Sequence, residues 1–432
     1  MPKQKKILLL GGDNLLLPVI KSAHELGCYV ITVDYLPDNV AHKYSDEYQY
    51  ASTTDKEAVL EIAKKCHIDG ILTFTDSGVV TAGYVAHELG LPSPGPYESI
   101  QILQNKGRFR QFLAEHGFNV PKAKSYTAID VALGEKEDWT YPVIVKPVDS
   151  AGSKGVTKVE SKDQLEDAVV FALEYSISSE FIIEEWIEKV GCSSDSDCFS
   201  LNGQFQMLTY SAQRFDEKAA NPYAPAAFSW PSTMGKQVEE ELSSELQRLI
   251  TLLGMQTSIY NIETRLGTDS KPYIMEVSPR GGGNRLAEVV RYATGVDMIT
   301  NAVRGALGMP IEEIGSWEYS GHWAEIMLHS YSNGAFQSLD INEDVRPYVR
   351  DLSLWVKEGD MIHKFESARY AIGSLILCFP DEQMMLDRLA HQGDWLKIYL
   401  DNTYNMLKIS KLDKFSGGGK SLLIAPRLLK AA

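Results

Sequence analysis

Two short runs and the turn between them constrain this chain more than any other feature: YNIETRL, Tyr260 to Leu266, and YIMEVSPRGGGNR, Tyr273 to Arg285, separated by GTDSK. Both runs alternate polar and apolar residues at the two-residue period of a strand. That period puts Asn261, Glu263 and Arg265 on one face of the first strand, and Ile274, Glu276 and Ser278 on one face of the second. GTDSK is a turn signal. If the chain reverses between Asp269 and Ser270, Glu263 and Glu276 become direct cross-strand partners. Partners of this kind stand about 4.5–5.5 Å apart at Cβ, and like charges there destabilise a sheet. Either the hairpin is solvated, or a divalent cation lies between the carboxylates. Mg²⁺ is commonly held by one or two carboxylates together with substrate phosphates. Arg280 and the triple glycine favour the second alternative, because they bring a phosphate-pairing guanidinium and a closely approaching backbone to the same strand end.

A chain of 432 residues, 44% hydrophobic and 23% charged, is an ordinary globular protein of two to four domains. Its net charge of −16 argues against nucleic acid as a partner, since such binding needs basic surface to neutralise phosphates. Five cysteines, at 28, 66, 192, 198 and 378, are scattered in a way that suits a reducing compartment rather than a disulfide framework. The apolar run near the start, ILLL, is too short for a signal-peptide core, and nothing reaches the roughly 18 apolar residues of a membrane helix. A cytoplasmic protein with no membrane contact is expected.

From Lys6 to about Leu91, strands KILLL, YVITVD and GILTFT alternate with helices, the pattern of a parallel open α/β sheet. Gly11-Gly12-Asp13-Asn14 lacks the full dinucleotide-binding glycine spacing. Thr75 and Asp76 fall at the carboxyl end of the third predicted strand, where such sheets bind ligands; a helix cap is the alternative reading. PSPGP, Pro92 to Pro96, marks a boundary. A helix from Ser99 to His116 follows and carries Lys106. WTYPVIVKP reads as a buried strand bearing Lys146, whose desolvated ammonium needs an anion. Directly after it, DSAGSKGV offers backbone N–H groups and Lys154 to phosphate oxygens. FIIEEWIE, Phe181 to Glu188, is a second buried strand, with Trp186 and Ile187 as apolar walls for a base. Residues 214–232, rich in Ala, Pro, Phe and Tyr, read as a long irregular loop and a candidate substrate wall. Beyond Met309-Pro310, strands HWAEIML, DLSLWV and YAIGSLILCF with a final helix suggest a small α+β unit. SGGGKS near the end mimics a phosphate loop, but Lys414 replaces its first glycine, so a flexible tail is expected.

Lys106, Lys146, DSAGSKG, EEWIE, NIE and MEVSPRGGG occur in one order, and that order resembles the ATP-grasp superfamily, in particular its carboxylate-amine ligases such as L-amino acid ligases and carbamoyl phosphate synthetase large chains. The resemblance implies α/β and α+β architecture. A pre-ATP-grasp parallel-sheet domain would span residues 1–96, and an ATP-grasp domain of two α+β halves residues 97–312. A small α+β C-terminal domain would span 313–411, ahead of a tail at 412–432. It also implies that Lys106 and Lys146 contact the nucleotide phosphates under a loop of Ser150, Gly152, Ser153 and Gly155. Glu184, Glu185, Trp186 and Ile187 would bind adenine. Glu263, Glu276 and Ser278 would hold Mg²⁺, with Mn²⁺ as the alternative ion, and Arg280 with Lys146 would steady the transferred phosphoryl group. Thr75, Asp76, Asn284 and Arg285 are candidate substrate contacts, Arg285 being placed one turn into the next helix. Serine at 278 departs from the family's usual asparagine. No glutamate follows the hinge for ribose, where only Glu188, Asp195 and Asp197 are on offer. The activity implied is ATP-dependent, ADP-forming ligation of a small-molecule carboxylate to an amine through an acyl phosphate, with a homodimer admitted. A bicarbonate-dependent carboxylase or carbamoyl-phosphate-type enzyme, or a non-catalytic ATP-binding regulator, are the alternatives.

Overall fold

The computed structural model of the protein describes residues 4–401 and is a mixed α/β structure. Near-continuous apolar runs such as KILLL are those of strands covered on both faces. Accordingly β1 (Lys6–Leu10), β2 (Tyr29–Asp34), β3 (Glu47–Tyr50) and β4 (Gly70–Thr73) form a parallel sheet in the order β3-β2-β1-β4. Helices α1 (Leu17–Glu25), α2 (Lys56–Cys66) and α3 (Asp76–Leu89) connect and cover it. GILTFT is therefore the fourth strand, not the third. The sequence pattern missed β3 because EYQY is polar and partly exposed at the sheet edge, without the apolar alternation that marks a half-buried strand.

The continuous helix expected from Ser99 to His116 is two helices, α4 (Tyr97–Gln104) and α5 (Lys106–Glu115). Asn105 between them is extended, at φ −117° and ψ 112°, and its side chain accepts the Arg108 N–H as an N-cap. The break makes Lys106 the first residue of α5, with its own N–H on the Val148 carbonyl at 3.0 Å.

Next come β5 (Ala123–Tyr126), α6 (Ile129–Gly134), β6 (Val143–Pro147), β7 (Thr157–Val159), α7 (Leu165–Glu174) and β8 (Phe181–Glu185). Their strands make an antiparallel sheet, β5-β8-β6-β7, with Val143, Val145, Phe181 and Ile183 packed on Val169 and Ala172 of α7. Then follow β9 (Ser194–Leu201), β10 (Gln204–Met207), β11 (Ala212–Phe215), β12 (Pro225–Trp230), α8 (Lys236–Leu252), β13 (Ser258–Leu266) and β14 (Pro272–Ser278). A second antiparallel sheet, β10-β9-β13-β14, buries Ile262, Ile274 and Val277 against Leu242, Leu246 and Leu249 of α8.

The stretch 214–232, expected to be irregular, holds β12 and the end of β11; only residues 216–224 connect them. Its alanines and prolines hid the strand pattern. After α9 (Leu286–Thr294) and α10 (Met298–Ala306) come β15 (His322–Leu328), β16 (Gly334–Ile341), β17 (Val349–Leu354), β18 (Met361–Ile362), β19 (Gly373–Phe379), α11 (Glu382–Ala390) and β20 (Leu396–Asp401). One sheet, β11-β12-β15-β19-β17, takes strands from both sides of residue 312, where the sequence suggested a boundary. A three-stranded sheet, β18-β16-β20, flanks it. The largest core cluster joins Ile7 and Leu9 of β1, Val289 and Val290 of α9, Met298 and Val303 of α10, and Trp230, Trp323 and Ile376. This packing brings the carboxyl end of the parallel sheet against the end of β14. The SGGGKS segment lies outside the described residues.

Candidate active site

Glu263 and Glu276 are direct cross-strand partners, as are Asn261 and Ser278. The route to that register differs from the expected one. Leu266 pairs with Pro272, so the turn is centred on Asp269, and a bulge in β14 between Ile274 and Glu276 restores the glutamate pairing. The bulge also moves Ile274 to the opposite face from Glu276. There it pairs with Thr264 and packs in the α8 core, a correction to the face predicted for it. On the other side of β13, Asp195 and Asp197 of β9 pair with Glu263 and Asn261. One sheet face therefore presents two adjacent rows, Asp195–Glu263–Glu276 and Asp197–Asn261–Ser278.

So many carboxylates on one partly dry surface resist ionisation. Burial, and then the charges of Asp195 and Glu276, push Glu263 up to about 8. Burial pushes Asp195 and Asp197 up to about 7, against the pull of the Asn261 amide on both and of Arg280. Lys106 stands on Glu276 at 3.3 Å and donates to the Ser150 carbonyl at 2.9 Å. Burial opposes its charge, but Glu276 and Asp76 outweigh that and hold its pKa above the ordinary lysine value.

Lys146, on β6, donates to Glu184 of β8, and Arg110 of α5 approaches the other Glu184 oxygen at 3.0 Å. The Glu184 side chain thus anchors two cations. Burial works against the Glu184 charge, yet Arg110 and Lys146 bring the carboxyl down to about 2. Burial lowers the pKa of Lys146, Glu184 opposes the shift, and Arg110 and Lys106 add to it. Beyond Lys146 the loop is tied at its base by Asp149, which accepts from the N–H groups of Ile177 and Ser178 at 3.1 and 2.7 Å. Gly152, Ser153 and Gly155 take positive φ, and Ser153 Oγ donates to the Tyr223 carbonyl at 3.3 Å. Lys154 is exposed. Glu185 accepts the Lys122 N–H at 3.1 Å. The Trp186 ring lies beneath Lys158 and Arg265, at 4.7 and 5.6 Å from its centroid, and Arg265 also donates to the Ile187 carbonyl at 3.2 Å. Of the acids considered for ribose, Glu188 accepts the Trp186 indole N–H at 2.8 Å, whereas Asp195 and Asp197 are buried in the sheet face.

Arg280 meets Asp76 with a two-bond fork, Nε to Oδ1 at 2.8 Å and Nη2 to Oδ2 at 2.6 Å. Burial disfavours ionised Asp76, but Arg280 more than offsets this and lowers its pKa. Thr75 precedes α3 with no side-chain cap and contacts Thr73 Oγ1 at 3.1 Å. Ser278, expected as a metal ligand, has its hydroxyl engaged elsewhere: it donates to Asp76 Oδ1 at 3.0 Å and accepts from Gln104 Nε2 at 2.8 Å. Arg285 is not inside a helix. It precedes α9 at φ 60° and pairs with Glu288 at 3.0 Å and Asp351 at 2.7 Å, while Asn284 beside it has φ 59°.

The sequence reading passed over Arg110 and considered Asp197 only as a ribose ligand. Arg110 lies four residues after Lys106 on α5, and that i, i+4 spacing was its available signal. Asp197 alternates with Asp195 in SDSDCF, a two-residue period that puts both carboxylates on one strand face.

Residues 103–284 match the ATP-grasp domain family. The chain is 26% identical to the formate-dependent phosphoribosylglycinamide formyltransferase of Prochlorococcus marinus, across 78% of this chain and 85% of that one. It is 25% identical to the carbamoyl phosphate synthase large chain of Thermotoga neapolitana across 72% of this chain, which amounts to 29% of that much longer protein. The crystal structure of an L-amino acid ligase from Bacillus licheniformis superposes with a TM-score of 0.78 at 19% identity, covering 93% of this chain and 100% of that one. Among the described residues no helix is long and apolar enough to cross a membrane.

Proposed function

We propose that this chain, whose residues 103–284 carry an ATP-grasp domain, is an ADP-forming ligase that activates a small carboxylate as an acyl phosphate and joins it to an amine. The observation that supports this reading most is the opposed Glu263–Glu276 pair, facing Lys106 and close to Arg280. The donor set suits Mg²⁺, with Mn²⁺ as a substitute. Two carboxylates stand on one face, and burial holds one of them short of ionisation until a cation compensates it. Among the described residues no three His, Cys, Asp or Glu side chains form a protein-only metal cage, in keeping with an ion completed by phosphate oxygens and water. Bound there, the ion would supply charge neutralisation for the nucleotide phosphates.

The protein's own groups position and neutralise. Lys106 and Lys146 reach the phosphates, and the N–H groups of Ser150, Gly152, Ser153 and Gly155 cover them. Trp186 and Ile187 wall the adenine, with the Glu184–Glu185 backbone beside them. A carboxylate oxygen of the acid attacks the γ-phosphorus, and the bond to ADP breaks with its electrons staying on ADP. The amine lone pair then attacks the acyl carbon, phosphate leaves, and the amine proton passes to solvent. Lys146 and Arg280 stabilise charge on the transferred group. Thr75, Asn284 and Arg285 lie on the acceptor side; Asp76 serves Arg280. A homodimer and a cytoplasmic setting belong to the same reading.

The test is ADP release with MgATP across a panel of amino acids, other carboxylates and amines, with mass spectrometry of the products. ADP formation that needs both an acid and an amine, with a condensed product, supports the ligase. Release that depends on bicarbonate assigns carboxylation instead. MgATP binding without ADP from any pair assigns a regulator.

A further inference from the structure

The connection from β14 to α9 is the most constrained backbone near the site. Asn284 and Arg285 both adopt left-handed φ, at 59° and 60°, a conformation that residues with a Cβ disfavour. Such strain persists where surrounding contacts over-determine it, and it concentrates at functional sites. The contact that does so here comes from Asp197, at the centre of β9 and fully buried. Its two carboxylate oxygens accept the Gly282 N–H at 2.8 and 3.0 Å, and the backbone N–H of Ala287, in the first turn of α9, is near enough to favour its charge. One carboxylate therefore pins the start of the segment that contains the two left-handed residues.

Gly282 is demanded by this grip rather than by its own φ. A Cβ there would lie 2.6 Å from Asp197 Oδ1 and 2.7 Å from Asn261 Nδ2. Its neighbour Gly281 is pressed from the opposite side, where a Cβ would meet the Phe74 ring at 2.0 Å. The loop is thus wedged between the N-terminal sheet and the carboxylate. Its first residue, Arg280, is fixed by the Asp76 fork and by its own bond to the Gly281 carbonyl at 2.9 Å. Asn261 steadies Asp197 in turn, at 3.3 Å.

We propose that Asp197 is a positioning residue for phosphoryl transfer: by gripping Gly282 it holds the 281–287 segment in its left-handed form, and so places Arg280 toward the transferred group and Asn284 and Arg285 toward the acceptor. The inference rests on the ligase reading above. Asp197 itself touches neither nucleotide nor reacting atoms; its effect travels through backbone.

The deciding experiment uses the full chain and two variants that attack the same contact from either side, Asp197→Asn and Gly282→Ala. Amide hydrogen exchange of residues 279–288 is read together with MgADP affinity and the steady-state constants for ADP release. The expected result is exchange at least tenfold faster in that segment alone, MgADP affinity within about twofold of wild type, and kcat lower by roughly a hundredfold, the scale of an ångström-sized misplacement. Uniformly faster exchange over the whole chain, with a lowered Tm and unchanged kcat, would show Asp197 to be a packing residue only and would overturn the proposal. A segment that loosens with no change in kcat, or one that does not loosen, overturns it as well. If wild-type protein forms no ADP with any substrate pair, the ligase reading falls. In that case the exchange contrast still decides whether Asp197 holds the loop.

Discussion

Glu184 and Glu263 sit on inner strands of two four-stranded antiparallel sheets, and their carboxyls are driven in opposite directions. Glu184 has Arg110 on one oxygen and Lys146 on the other, and is held down to about 2. Glu263 faces Asp195 and Glu276 across the strands, and is pushed up to about 8. Burial acts the same way on both. What differs is whether the protein supplies the counter-charge. The first sheet is a finished ion pair whose task is to hold two cations in place; in the second, Lys106 pairs with Glu276 while burial and two neighbouring carboxylates oppose the charge of Glu263, and that imbalance is what the proposed ion site rests on.

The contrast is broken most severely by removing Glu184. Glu184→Gln leaves Arg110 and Lys146 without their buried partner, and breaking a buried pair in this way costs about 3–5 kcal/mol. Chemical denaturation should show that loss, whereas Glu263→Gln in metal-free buffer should leave stability unchanged or raise it, because it removes a carboxylate whose charge burial, Asp195 and Glu276 oppose more than Lys106 and Arg265 support it. Equal destabilisation by the two substitutions would erase the distinction.

Activity should rank the glutamates the other way. Glu276→Ala removes half of the cation site and the partner of Lys106, and loss of one preorganised stabiliser of this kind costs about 3–4 kcal/mol, roughly a hundredfold or more in rate. The fold should survive, as read by circular dichroism. A Glu276→Ala protein releasing ADP at the wild-type rate would sink the assignment of this hairpin.

A milder probe is pH. The folded pKa of Glu184 is lowered from 4.5 to about 2, so its contribution is present above 4.5 and lost as pH falls toward about 2. The folded pKa of Glu263 is raised from 4.5 to about 8, so the folded form binds the extra proton and stability drains as pH rises from 4.5 to about 8. In EDTA, Tm should therefore fall across that upper window by at least about 2–4 °C, the response to a single kcal/mol in a domain of 150–250 residues. Adding MgADP should flatten this limb and leave the acid limb, which belongs to Glu184, where it was.

Much of this arrangement is legible in the sequence, because it is local. The hairpin, the lysine at the end of a buried strand, and the glycine loop after it each announce themselves in a few consecutive residues. What could not be read depends on geometry between elements. The bulge at Met275 shows no composition signal, yet it decides which side of β14 Ile274 faces. A turn between Asp269 and Ser270 without a bulge, and a turn centred on Asp269 with one, give the same glutamate pairing, and only the second is present. β12 was hidden in PAAFSW by its alanines, and the sheet it joins is completed by strands a hundred residues on. Asp197 was visible as an acid, but its grip on Gly282 exists only once β9 lies beside the loop.

The smallest effect concerns Ser278, whose hydroxyl has a short reach. Its Oγ is shared between Asp76 and Gln104, so Ser278→Ala leaves the Gln104 amide without an acceptor and takes one bond from Asp76, which keeps its fork to Arg280. Orphaning a buried polar group costs about 1–3 kcal/mol, and the half-buried position of Gln104 together with the surviving fork argues for the lower end. Stability should drop by that amount and ADP release should change by less than about tenfold, since roughly 1 kcal/mol on a positioning network is worth only a few-fold in rate. The Mg²⁺ concentration giving half-maximal rate should stay at the wild-type value. If that concentration instead rises as steeply as it does for Glu276→Ala, the hydroxyl turns from Asp76 to the ion when nucleotide binds. The uncompensated side of the comparison would then extend over both rows of the sheet face, rather than stopping at Glu263 and Glu276.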